Sequence, residues 1–139
     1  MRGGMGAAVM RSLFDRAVDW ARIGAVVTLA ITLAGMLVPG SDLPRDLPPD
    51  LLLHALGFGL PALLAAFAAG GRRGLASGAA VIACVALASE PAQALVPGRT
   101  VSGLDLAGDA VGIGIGTSLG WLIRLGLLWL FRAASRGQS

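Results

Sequence analysis

The sequence predicts an all-α membrane protein, a bundle of four transmembrane helices with an N-terminal amphipathic helix in the membrane interface. Three observations predict it. Of 139 residues, 55% are hydrophobic and only 14% charged, where a soluble domain carries roughly 25% charged residues. The apolar content is Ala, Leu, Val and Ile with 21 Gly, and few aromatics (Trp 3, Phe 4, Tyr 0), the composition of closely packed transmembrane helices. The apolar residues fall in long runs with no strand-like alternation, and mean hydropathy is +0.77. The length allows one ordinary domain and excludes a multidomain enzyme.

A helix needs about 20 mostly apolar residues to cross a bilayer. The first span covers 23–38 and stops at Pro39-Gly40. The second covers 51–69 and ends at Gly70-Gly71-Arg72-Arg73; the third covers 75–95, closed by Pro97-Gly98; the fourth starts near Leu104 and extends to Phe131. Pro61 and Pro91 lie inside the second and third spans, where a kink is expected. Before the first span, Leu13, Phe14, Ala17, Val18 and Trp20 alternate with Arg11, Asp15, Arg16, Asp19 and Arg22, the pattern of an interfacial helix. A cleaved signal peptide would need an unusually long charged leader. The chain thus divides into an amphipathic segment over 1–22, a transmembrane domain over 23–131 and a tail over 132–139.

All eleven basic residues are Arg. With the N-terminus cytoplasmic, Arg2, Arg11, Arg16, Arg22, Arg72, Arg73, Arg124, Arg132 and Arg136 lie inside, and only Arg45 and Arg99 outside. This bias places both termini in the cytoplasm and the protein in the cell membrane as a multi-pass chain. Arg124 falls within the last apolar run, so either its side chain snorkels inward or the span ends near Ile123. The net charge of +3 forms no dense patch, which argues against nucleic acid. The single Cys84 lies in an apolar run and reads as packing.

Gly112, Gly116 and Gly120 recur every four residues, a helix-packing face that lets another backbone approach closely and that could also join two copies of the chain. A dinucleotide reading of this stretch fails, because no strand precedes it and Thr117 stands where the third glycine belongs.

The acids are placed differently from the arginines. Asp42, Asp46, Asp50, Glu90, Asp105 and Asp109 fall on the outer loops or the outer ends of helices. At 1.5 Å per residue, His54 lies about 6 Å below Asp50, Glu90 about 8 Å below Leu95 and Asp109 about 8 Å below Leu104. Asp50 with His54 and Asp105 with Asp109 are i,i+4 pairs, and Glu90 with Gln93 is i,i+3. The expectation is a polar, outward-opening pocket between the second, third and fourth helices, with Asp50, His54, Glu90, Gln93, Arg99, Asp105 and Asp109 as candidate ligand-binding residues. Plainer roles exist: Asp50 suits a helix N-cap, Asp105 a first helical turn, His54 a packing histidine, and Arg99 a clamp on a buried acid. Glu90 fits no capping role.

The ordered set Asp50-x3-His54, Glu90-x2-Gln93, Pro97-Gly98-Arg99, Asp105 and Gly112 resembles the VanZ-like family of small integral membrane proteins. The match runs over 50–116, about half the chain. Leu51 stands where the family often has Lys, Phe58 where it commonly has Tyr, and Asp109 where it usually has Asn. The resemblance implies a four-helix membrane protein acting at the cell envelope, and the family's namesake is linked to resistance to the glycopeptide teicoplanin.

Three functions compete. The first is a non-enzymatic protein whose pocket binds a lipid-linked or glycopeptide head group, with membrane lipids as further partners. The second is an enzyme on a lipid-linked envelope substrate. Against it, Ser89, Thr100 and Ser102 are the only nearby hydroxyls, and no nucleophile motif accompanies the histidine. The third is a small proton-coupled transporter, for which the inner half supplies no ionisable partner before Arg124. No cofactor or metal is expected: His54 with Glu90 and Asp105 is one histidine without motif spacing.

Overall fold

The computed structural model describes residues 2–44, 46–100 and 102–136, leaving out the side chains of 2–5, 7, 135 and 136. Arg45 and the side chains of Arg2 and Arg136, all used to orient the chain, therefore lie outside the described residues. The elements are α1 (Arg2–Met36), a 3-10 turn (Gly40–Asp42), α2 (Asp50–Ala68), α3 (Arg72–Gln93) and α4 (Gly103–Arg136). No strand occurs among the described residues. All four helices are long and apolar enough to cross a membrane, which makes this an all-helical, multi-pass membrane protein. Its outer surface agrees: Val26, Ile31, Val81, Ile115 and Leu122 are all exposed, tolerable only where lipid replaces water.

The expected N-terminal helix is present and joins the first span without a break, because neither Pro nor any other stop signal separates Arg11 from Met36. Helix likewise runs through residue 131 to Arg136. At 35 and 34 residues, α1 and α4 are roughly 50 Å long, well beyond a hydrocarbon core of about 30 Å. Phe14 meets the rings of Phe67 and Phe131, near the end of α2, so both long helices overrun the bundle at the arginine-rich end. There Val18, Ala21 and Ala68 form a small core with Phe14, Leu64 and Phe67 around it. Of the amphipathic stretch, Phe14 and Val18 thus pack on the bundle, while Leu13, Ala17 and Trp20 stay exposed. Arg72 and Arg73, expected as a helix stop, open α3 instead.

α2 and α4 are the most closely joined pair and run parallel. A Cβ on Gly112, Gly116 or Gly120 would overlap the carbonyl oxygen of Ala55, Gly59 or Leu63 respectively, and one on Gly108 would lie 2.7 Å from that of Leu51. Both helices repeat every four residues, so the contact keeps one register for three turns, and only glycine permits such closeness. The glycine face is therefore occupied within the chain. α1 packs antiparallel on α2, and α3 touches both α2 and α4. The main core is Met36, Phe58, Ala62, Ile82 and Ala86.

Pro61 has no N–H to give the Gly57 carbonyl four residues back. Thr32 Oγ1 of α1 lies 2.8 Å from that oxygen and 2.9 Å from Thr28 O, and its single proton serves them. A proline in α2 and a threonine in α1 are thereby complementary, as expected where no water reaches the backbone.

Candidate functional site

The site is built at the end of the bundle opposite the arginines, where two connections are clasped together. Gly40 N–H donates to Pro97 O at 3.1 Å, and a Cβ on Gly40 would strike the Gly98 carbonyl. Gly98 has φ +73°, the left-handed region that favours glycine. The turn aims Arg99 at the C-terminus of α1: Nη2 donates to Gly35 O at 2.9 Å and Nε to Val38 O at 3.1 Å. Gly35 O also takes the Val38 N–H at 3.3 Å, and a guanidinium at this helix end both bonds the carbonyls and complements the helix dipole. Arg99 does not fold onto the buried acids. Its nearest acid is Asp50, 4.0 Å from Nη1.

The N-cap position expected of Asp50 belongs to Pro49, which makes no side-chain cap bond; Asp50 is the first residue of α2 and its side chain is 51% exposed. Deeper by one turn, His54 is buried, and its Nδ1 donates to Asp109 Oδ1 at 2.9 Å. Glu90 Oε1 is 4.0 Å from the same nitrogen, beyond hydrogen-bond reach. Asp105 is buried in the first turn of α4, where it and Ser102 bond reciprocally: Ser102 N–H to Asp105 Oδ2 at 3.2 Å, and Asp105 N–H to Ser102 Oγ at 3.3 Å. This is a capping box with an aspartate in the third position.

Four of the seven candidates therefore converge between α2, α3 and α4: His54, Glu90, Asp105 and Asp109. Because α2 and α4 are parallel, both turn their N-termini toward this cluster, and each dipole favours a nearby negative charge by about 0.3–1 kcal/mol. Glu90 enjoys no such help. It lies in the last turn of α3, which carries no basic residue, and neither of its buried oxygens has a hydrogen-bond partner. Two carboxylates about 5 Å apart repel by about 3 kcal/mol at an effective dielectric constant of ~20. The cluster is rich in acceptors and poor in donors.

A cavity of about 590 Å³ opens on the other side of His54, bounded mainly by α1, α2 and the connection between them. Gln93 and Arg99 share its polar end with Asp50 and His54, while Ile31, Leu56 and Leu60 form its apolar wall. The pocket expected among the second, third and fourth helices is thus two features, a compact acidic cluster there and a roomy cavity toward α1. His54 belongs to both. Thr28 and Thr32 also line the cavity, an i,i+4 pair of hydroxyls in an apolar span that sequence reasoning passed over. Ser102 was read only as a nearby hydroxyl; its capping role, readable from Ser-x-x-Asp spacing, was missed, as was Gly108, four residues before Gly112.

No protein-family model matches this chain, and no curated protein or solved structure matches it.

Proposed function

We propose that this chain is a VanZ-like, non-enzymatic protein of the cell membrane that binds an amphiphile, with both termini in the cytoplasm and its cavity at the outer leaflet. The observation that carries the reading is the cavity's division into an apolar wall of Ile31, Leu56 and Leu60 and a polar end of Asp50, His54, Gln93 and Arg99. A hydrocarbon chain lies along the wall and a head group meets the polar end. With donors and acceptors mixed there, and Arg99 already committed to two carbonyls, the head group is one rich in hydroxyl and amide groups, as on a lipid-linked envelope intermediate or a glycopeptide. The order Asp50, His54, Glu90, Gln93, Arg99, Asp105 supports the family, and the crowding of arginines at the far end supports the orientation.

Leu56→Trp tests this, because Leu56 is 61% exposed and lines the cavity without belonging to the core. Native mass spectrometry of protein extracted in mild detergent should find wild type carrying a co-purified amphiphile and the variant largely free of it, at equal thermal stability. An empty wild type, or equal loading of both, refutes the reading.

A further inference from the structure

We propose that His54, Glu90 and Asp105 form a binding site for one divalent transition-metal ion of the zinc class. One nitrogen of His54 and one carboxylate oxygen from each acid lie within 4.8 Å of one another. The three residues are 3%, 8% and 4% exposed. Ligand atoms at about 2.0–2.2 Å from a tetrahedral zinc stand roughly 3.4 Å apart, so side-chain movements of about 1 Å would close the site.

Glu90 supplies the second, independent observation. The residue is 8% exposed and its side chain 11%, both of its oxygens are buried without a hydrogen-bond partner, and it points at His54 from an unfavourable helix end. A buried carboxylate in that state requires a proton or a cation. Among the described residues no arginine supplies the cation: Arg99 is engaged by the α1 carbonyls, and Arg124 bonds Phe67 O at the other end of the bundle.

The surroundings match what a metal-binding histidine needs. Asp109 bonds His54 Nδ1 at 2.9 Å and so fixes the ring beside Glu90, whose Oε1 faces the same nitrogen at 4.0 Å, a carboxylate support of the kind that orients metal-binding histidines. Ser102 steadies Asp105 through one oxygen, and a carboxylate has a second to give. An imidazole among the donors selects zinc or iron over calcium and magnesium. Three protein ligands leave a coordination position for water. The site shares His54 with the cavity, but Glu90 and Asp105 do not line it, so the two can be tested apart.

The full chain, carrying a purification tag without histidine and prepared without chelators, tests it by elemental analysis. Wild type should hold one zinc or iron ion per chain; after stripping, added Zn²⁺ should raise its melting temperature. Glu90→Gln and Asp105→Asn should lose the ion. Asp109→Asn, which alters positioning, should keep one site but weaken it about 10- to 100-fold. Leu56→Trp should retain full metal while losing the amphiphile, so either reading can fail alone. Cobalt(II) in stripped wild type should give a visible d–d spectrum, a readout that depends on no variant folding. No stoichiometric ion and no cobalt spectrum, or Glu90→Gln binding like wild type, overturns the site.

Discussion

The glycine seam between α2 and α4 predicts opposite signs for the same substitution made two residues apart. At Gly112 an added methyl meets backbone only: it overlaps the Ala55 oxygen, with the carbonyl carbon at 2.7 Å and Cα at 2.8 Å, against the 3.4 Å where ordinary contact begins. No side chain can rotate away, so α4 must retreat by about 1 Å and loosen the seam along its length. Overpacking of this kind costs about 1–3 kcal/mol, offset in part by the ~1 kcal/mol that alanine gains over glycine in a helix. The net expectation for Gly112→Ala is a loss of about 1–2 kcal/mol. At Gly114 nothing lies within 4 Å, so only the gain remains, and Gly114→Ala should be neutral or stabilising by up to ~1 kcal/mol. At about 4 °C per kcal/mol for a chain of this size, thermal unfolding in detergent should drop by roughly 4–8 °C for the first and hold or rise for the second. Gly112→Ala melting at or above wild type, or both variants falling equally, would refute the close parallel packing.

Other expectations rest on single contacts. Arg99→Ala strips two carbonyls of a charged donor and should cost about 1.5–3 kcal/mol in the same assay, whereas Arg99→Gln should recover part of it. Arg124, whose Nη1 donates to Phe67 O at 2.9 Å and whose guanidinium sits 5.3 Å from the Phe14 ring centroid, should cost about 2 kcal/mol as Arg124→Ala. Thr32→Val should lose about 1 kcal/mol, and much less in a Pro61→Ala background, where residue 61 regains an N–H for Gly57 O. Additive losses in that double-mutant cycle would break the proposed link.

The four spans were legible because hydropathy and length dominate membrane folding, and the glycine repeat announced a close helix contact before its partner was known. The cluster was legible by depth: counting rise per residue from the loops brought His54, Glu90 and Asp109 to one level, and the structure joins them. Asp50 escaped this logic. It shares a face with His54, but at the very start of α2 that face is open to the surface. Arg99 was illegible for another reason, since its partners at Gly35 and Val38 are backbone atoms far along the chain and backbone acceptors have no sequence signature. The unbroken α1 was obscured because polar residues over 11–22 suggested a change of environment, which does not require a break in the helix.

α2 serves two neighbours at once, zipped to α4 along one side while His54, Leu56 and Leu60 face the cavity. Helical phase ties those duties together. Deleting one residue between Ala55 and Gly59 would turn the segment before it by about 100° relative to the rest. His54 would swing out of reach of Asp109, and the Ala55 carbonyl would leave the hollow at Gly112. A change in length here, even of one alanine, should do more damage than most changes of side chain.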